Sequence, residues 1–358
     1  MKLLNLFSDV TAKSSDSDRV VGIDIGSSSI KVVEVQEKGG ILTLTTYGEL
    51  QLGPYANQEI GQSVTLDAKK EQQALVDVLR ESAVKAKSAV FSMPLASSFV
   101  TMINLEAEPK EDISAKIRVE ARKYIPVPIG EVTLDWAELE GDKEADDNER
   151  SVLVAAIQNQ ALQRFNTLMK FANLKEPPTE IECFSSIRGV YREEESDIAI
   201  IDIGAVSTKL YIAKKGLLQR MHRVRAGGVI ATKRIASLLE LSFEEAELKK
   251  RTITKDDPDF REVERAHHSS YDRTWQEFRQ VIKEYEDTTG SKVDTVYLSG
   301  GGAIFPTTKI MIQDTMRRDV LAVNTFSKVA YPAFMEDMVF ELGPTFHVAL
   351  GAALRVFE

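Results

Sequence analysis

Asp24 and Asp202 stand in nearly the same surroundings, far apart in the chain. The first lies in Val21-Gly22-Ile23-Asp24-Ile25-Gly26-Ser27-Ser28-Ser29-Ile30-Lys31, the second in Ile200-Ile201-Asp202-Ile203-Gly204-Ala205-Val206-Ser207-Thr208-Lys209. In each copy an apolar run reaches Asp-Ile-Gly, passes through small and hydroxylated residues, and returns through Lys into a second apolar run. That pattern predicts a β-hairpin whose turn approaches a ligand closely. Ser and Thr hydroxyls, together with free backbone N–H groups, can wrap an anion. A carboxylate at the end of a buried strand needs a partner, and a hydrated metal ion would supply one. Two such turns facing each other would clamp the phosphates of a nucleotide and its Mg²⁺.

A third element is Leu298-Ser299-Gly300-Gly301-Gly302-Ala303, which follows an apolar stretch from Val293. Three consecutive glycines cost conformational entropy on folding. A backbone that must lie flat against a purine or an α-phosphate has use for them. His267-His268 has no second ligand pair at metal spacing and is expected in a solvated segment. Cys183, the one cysteine, is expected to be a small buried apolar residue.

The elements that must hold these motifs can be read from periodicity. Strands are expected over Ala89–Met93, Phe99–Ile103, Val132–Trp136 and Ser151–Ile157, and helices over Glu71–Ala86, Pro109–Ile125 and Phe243–Arg251. Ser242 and Glu245 have capping-box spacing. Leu162, Phe165, Leu168 and Met169 line another helix, and Trp275, Phe278, Ile282 and Tyr285 a longer one. Gly141 to Arg150 is acidic and expected as an exposed loop. The resulting division is a flexible lead over 1–18, a first subdomain over 19–87, an inserted α/β subdomain over 88–174 and a return segment over 175–195. A second half over 196–340 and a closing helix over 341–358 complete it.

The chain has 358 residues, 43% hydrophobic and 28% charged, with a net charge of −10. The length calls for more than one core. The charge balance argues against a nucleic-acid binder, and no apolar run is long enough to span a bilayer. A single cysteine permits no internal disulfide and suits a reducing, cytoplasmic setting.

The three motifs, in this order, resemble the actin-like ATPase superfamily, in which duplicated ribonuclease H-like halves enclose Mg-ATP. Within it the sequence resembles the PilM family of type IV pilus assembly proteins. The resemblance is carried by the opening from Gly22 to Val35, the inserted unit, the second hairpin from Ile198 to Ala213, and Ala349-Leu350-Gly351-Ala352-Ala353-Leu354-Arg355 at the end. It implies that Asp24 and Asp202 hold Mg²⁺ through water. It assigns Gly26, Ser27, Ser28, Ser29 and Lys31 to the β- and γ-phosphates from one side, and Gly204, Ser207 and Thr208 from the other. Gly300, Gly301 and Gly302 would border the adenosine, with Glu247 and Lys250 flanking ribose and adenine; an ordinary solvated ion pair is the alternative for those two. Glu182 would stand near the attacking water, although turnover is expected to be slow or absent. The partner implied is the N-terminal cytoplasmic segment of the membrane protein PilN, held in a groove of the inserted subdomain with apolar positions such as Phe99 and Ile117. The location implied is the cytoplasmic face of the inner membrane, and a homo-oligomer is compatible with the resemblance.

Two relatives offer rival functions. FtsA, the cell-division anchor, shares the layout but ends in an amphipathic membrane helix, whereas here Phe357-Glu358 follow soon after the last core-like segment. A sugar or acetate kinase would need a catalytic Asp and a sugar-binding cluster in the second half, and neither is evident.

Overall fold

Apolar, largely β-branched residues over 20–25 and 30–35 build the first hairpin as expected. The computed structural model describes residues 18–108, 111–139, 149–175, 179–192 and 197–357. The lead before residue 18 and the acidic loop over 140–148 lie outside these residues. β1 (Arg19–Ile25), β2 (Ser29–Lys38) and β3 (Ile41–Gln51) form an antiparallel meander. α1 (Ala68–Glu81) then returns the chain to β4 (Ser88–Met93), which pairs parallel with β1. The helix begins earlier than expected because the Asp67 side chain caps it, accepting from Lys70 N at 3.0 Å. It also ends earlier. The buried Glu34 carboxylate takes the N–H groups of Lys85 and Ala86, both at 2.6 Å, and draws that segment into a loop.

A separate three-stranded sheet follows, built from β5 (Ser98–Glu106), β6 (Val132–Glu138) and β7 (Glu149–Gln158) in the order β5-β7-β6, with α2 (Ser114–Ala121) beside it. The helix expected from Pro109 is shorter than its apolar spacing suggested. Asp112 accepts from Ser114 N at 3.0 Å and starts it there, and residues 122–124 continue only as turns. β7 is central and alternates. Val152, Val154 and Ala156 face α2, whereas Leu153, Ala155 and Ile157 join the first core with Phe165, Leu168 and Met169 of α3 (Asn159–Phe171). The three strands lie inside the expected insertion, but β4 belongs to the first half's sheet and α3 to its core. Ile117, on the inner face of α2, is fully buried and is not available to a groove.

β8 (Glu180–Ile181) completes the order β3-β2-β1-β4-β8, and α4 (Glu182–Val190) leads into the second half. There β9 (Asp197–Ile203), β10 (Thr208–Lys214) and β11 (Leu217–Val224) repeat the meander. They precede α5 (Gly228–Leu239), α6 (Phe243–Thr252), α7 (Phe260–Ser269) and α8 (Asp272–Thr289). β12 (Thr295–Ser299), α9 (Thr308–Met316) and β13 (Asp319–Ala322) then give the order β11-β10-β9-β12-β13, the first sheet's topology repeated. The capping box of Ser242 and Glu245 is present, and Trp275, Phe278, Ile282 and Tyr285 are buried as their spacing demands.

α10 (Glu336–Leu354) starts before the expected residue 341 and ties the halves together. Its Ala349, Leu350 and Ala353 pack on Val33 and Val35 of the first half, while Pro344 O accepts from Gly300 N of the second at 2.7 Å. α4 and α10 cross in contact, since a Cβ on Gly351 would lie 1.8 Å from Ser185 O. Among the described residues no helix is long and apolar enough to cross a membrane.

Candidate functional site

The duplicated motifs fold into duplicated turns. Gly26 N donates to Ser29 O at 2.9 Å, and Gly204 N to Ser207 O at 3.0 Å. Asp24 pairs across its hairpin with Lys31, as Asp202 does with Lys209. Each aspartate also has a serine beside it on the parallel neighbour, Ser92 on β4 and Ser299 on β12. The central strands of the two sheets thus present their carboxyl ends to one cavity of about 100 Å³. Asp24, Gly26, Ser27, Ser28 and Lys31 line it from one half, and Asp202, Gly204, Ser207, Gly300 and Gly301 from the other.

Charge is distributed unequally between the copies. Lys209 Nζ bridges Asp202 at 3.1 Å and Glu182 at 3.0 Å, and the second Glu182 oxygen accepts from Leu95 N at 3.0 Å. Lys31 Nζ instead donates to Ser29 Oγ at 2.9 Å and lies 3.8 Å from Glu49. No salt bridge reaches Asp24 among the described residues. Burial alone would depress the Lys209 pKa, but the facing Asp202 and Glu182 carboxylates outweigh it and hold the ammonium charged. Burial raises the Glu182 pKa, with Lys209 opposing. Burial pushes Asp202 the same way but is overcome by Lys209 and His347, so its pKa falls.

A second cavity of about 70 Å³ adjoins the first and is lined by Ser29, Gly301, Gly302, Glu247 and Lys250, among others. Gly300 has φ +83°, and a Cβ there would come 2.5 Å from Asp202 Oδ1, so a side chain is excluded at this turn. At Gly301 an added Cβ would meet nothing within 4 Å; the space in front of it is cleft. Glu247 and Lys250 are not a solvated pair. They are buried, 2.6 Å apart, with Thr232 Oγ1 donating to Glu247 at 2.5 Å and Arg251 holding its other oxygen at 2.8 Å. Burial lowers the Lys250 pKa, with Glu247 opposing. Gly61 of the first half closes this end, so near that a Cβ would meet Glu247 Cγ at 2.7 Å.

Of the residues expected at the site, all but Thr208 line these two cavities. Thr208 is fully buried, and its hydroxyl donates to Ala226 O at 2.6 Å, bracing the entry to α5. Lys209, Thr345, Val348 and His347 line the first cavity without having been singled out. Lys209 could have been found from its equivalence to Lys31, whereas the α10 residues follow no local motif. His267 is buried, not solvated: its ring stacks on Phe305 with centroids 3.9 Å apart. Cys183 is buried as expected. No cluster of metal-ligating side chains suited to direct coordination occurs among the described residues. Two separated carboxylates, two backbone-lined turns and a bare glycine loop suit a polyanion accompanied by a cation that keeps its water.

A family model described as type IV pilus assembly protein PilM matches residues 22–357. Among solved structures the chain is similar to one titled PilM-PilN type IV pilus biogenesis complex, with 25% identity over 95% of this chain and 98% of that one, at a TM-score of 0.80. It also resembles the ethanolamine utilization protein EutJ of Carboxydothermus hydrogenoformans, with 15% identity, TM-score 0.56, and coverage of 94% of this chain and 89% of that one. MreB5 of Spiroplasma citri, solved bound to AMPPNP, gives 11% identity and TM-score 0.54 over 96% of both chains. The last two likenesses concern the fold alone. With two sheets of repeated topology meeting at a shared cleft, and a family model spanning nearly its whole length, this actin-like chain belongs to the PilM family of type IV pilus assembly proteins.

Proposed function

We propose that this chain is an Mg-ATP-binding scaffold of the type IV pilus machinery that grips the N-terminal cytoplasmic segment of PilN. The observation that carries the nucleotide reading is the convergence of Asp24 and Asp202 on one cavity bordered by Gly300 and Gly301. Asp24 and Asp202 would hold Mg²⁺ through its water. Gly26, Ser27, Ser28, Ser29 and Lys31 would face the β- and γ-phosphates from one side, and Gly204 and Ser207 from the other. Gly300, Gly301 and Gly302 would border the adenosine, with Glu247 and Lys250 at its ribose. Bound Mg²⁺ would offset the phosphate charge.

Glu182 is the candidate to orient an attacking water, but both its oxygens are engaged, by Lys209 and Leu95 N. That supports a ligand retained as a structural or switching element, with turnover far below the enzyme median of about 10 per second. The partner reading rests on family membership and on the similarity to a PilM-PilN complex. The inserted unit carries exposed apolar side chains at Val119, 61% exposed, and Tyr124, 52% exposed, which suit a peptide partner. Attachment to PilN would bring the chain to the inner face of the inner membrane.

The test is calorimetry on the full chain, first with ATP in Mg²⁺ and in EDTA, then with a synthetic peptide of the PilN N-terminal segment. Mg²⁺-dependent ATP binding and saturable peptide binding are expected. Absence of the first overturns the cleft assignment, and absence of the second overturns the partner.

A further inference from the structure

His347 enters the metal-side cavity from α10, an element that carries neither duplicated turn. It is 2% exposed, and its Nδ1 lies 2.9 Å from Pro344 O. A carbonyl oxygen can only accept, so Nδ1 carries the proton of that bond. The same carbonyl accepts from Gly300 N at 2.7 Å, which links the ring's orientation to the glycine loop. In the neutral ring Nε2 is then an acceptor, and it is buried without a hydrogen-bond partner. Among the described residues no acceptor lies within hydrogen-bond reach of Nε2, so none of them fixes a proton there. The carboxylates nearby cannot satisfy Nε2, because an ionised carboxylate has no hydrogen to donate. A buried acceptor of this kind calls for a donor from outside the chain.

We propose that His347 is a positioning residue whose Nε2 accepts a hydrogen bond from a water of the hydrated Mg²⁺ held by Asp24 and Asp202. This rests on the Mg-nucleotide reading above. Pro344 O then serves both ends of the ligand, holding the ring that orients the metal's water and the glycine loop that borders the adenosine. Groups that orient a metal's first shell are worth about tenfold to a hundredfold in metal affinity.

The experiment compares ATP affinity of the full-length wild type, His347→Phe and His347→Gln, each by calorimetry in Mg²⁺ and in EDTA, with a thermal melt as control. His347→Phe should lose at least about tenfold of the Mg²⁺-dependent gain while its EDTA affinity moves less than about twofold. His347→Gln, whose amide oxygen can accept, should recover much of that loss. Equal losses in Mg²⁺ and EDTA would show a packing role and overturn the proposal. So would an undiminished Mg²⁺ gain, including the case where only turnover falls and the ring serves an attacking water instead. A wild type with no Mg²⁺-dependent binding overturns the Mg-nucleotide reading itself, and the role of His347 with it.

Discussion

Glu182 and Asp202 share one ammonium group, that of Lys209, at 3.0 and 3.1 Å. Lys31, its equivalent in the first hairpin, has no such double partner and leaves Asp24 open. The duplicated turns share their backbone and differ in their electrostatics: one aspartate is held in an ion pair, the other is available.

Replacing Lys209 with Met should therefore leave two buried carboxylates facing each other without a counter-charge. Removing one partner of a buried ion pair typically costs about 3–5 kcal/mol. Urea unfolding at neutral pH should show a fall of that order, and an unchanged midpoint would contradict the bridge.

Asp24→Ala and Asp202→Ala should behave differently even though both are expected to weaken Mg-ATP binding. Each should lose at least about tenfold in affinity by calorimetry. Only Asp202→Ala should also lower the melting temperature of the ligand-free protein, because only Asp202 is a partner of Lys209. Equal melting temperatures for the two variants would remove the asymmetry argued here.

Gly301→Val tests the glycine loop without disturbing the fold. A Cβ at Gly301 meets nothing within 4 Å, so stability should stay within about 0.5 kcal/mol, as for a surface change. The branched side chain would fill the part of the cleft proposed for the adenosine, and ATP binding should be lost in EDTA as well as in Mg²⁺. Retained binding would place the nucleotide elsewhere.

His267 supplies a pH dependence. Burial, aided by the neighbouring Lys250 and His268 charges, lowers its pKa from 6.5 to about 3. Its folded value is depressed, so the neutral ring's contribution is intact above 6.5 and is lost as pH falls from there toward 3. In that window the unfolded chain takes up a proton that the folded protein refuses, at a cost of up to about 1.4 kcal/mol per pH unit. His267→Phe should flatten the stability profile between those values in urea titrations at several pH values. An unaltered slope would assign the acid sensitivity to other groups.

Much of the site was legible because its parts are local. The Asp-Ile-Gly turns, the three glycines and the Glu247–Lys250 pair are each contiguous or one helical turn apart. What was misread depended on neighbours distant in the chain. Phe260, Val263 and His267 share one buried face of α7, and that spacing could have marked His267 as interior. The hydrophilic flank of the His pair concealed it. Thr208 looked like a phosphate ligand by sequence position. Its hydroxyl is committed to Ala226 O because the chain turns back there into α5.

The sequence by itself determined the two hairpins, the glycine loop, most of the helices and the duplication that relates the halves. Those properties follow from residue periods of two and of about 3.6 and from turn chemistry, which act over a few residues. Tertiary structure alone decided that β4 joins the first sheet, that Lys209 serves two carboxylates, and that α10 delivers His347 to the cleft. Each of these depends on which distant element fills a given space and on what that element brings with it. Local periodicity says which face of a segment is apolar; it does not say what that face will meet.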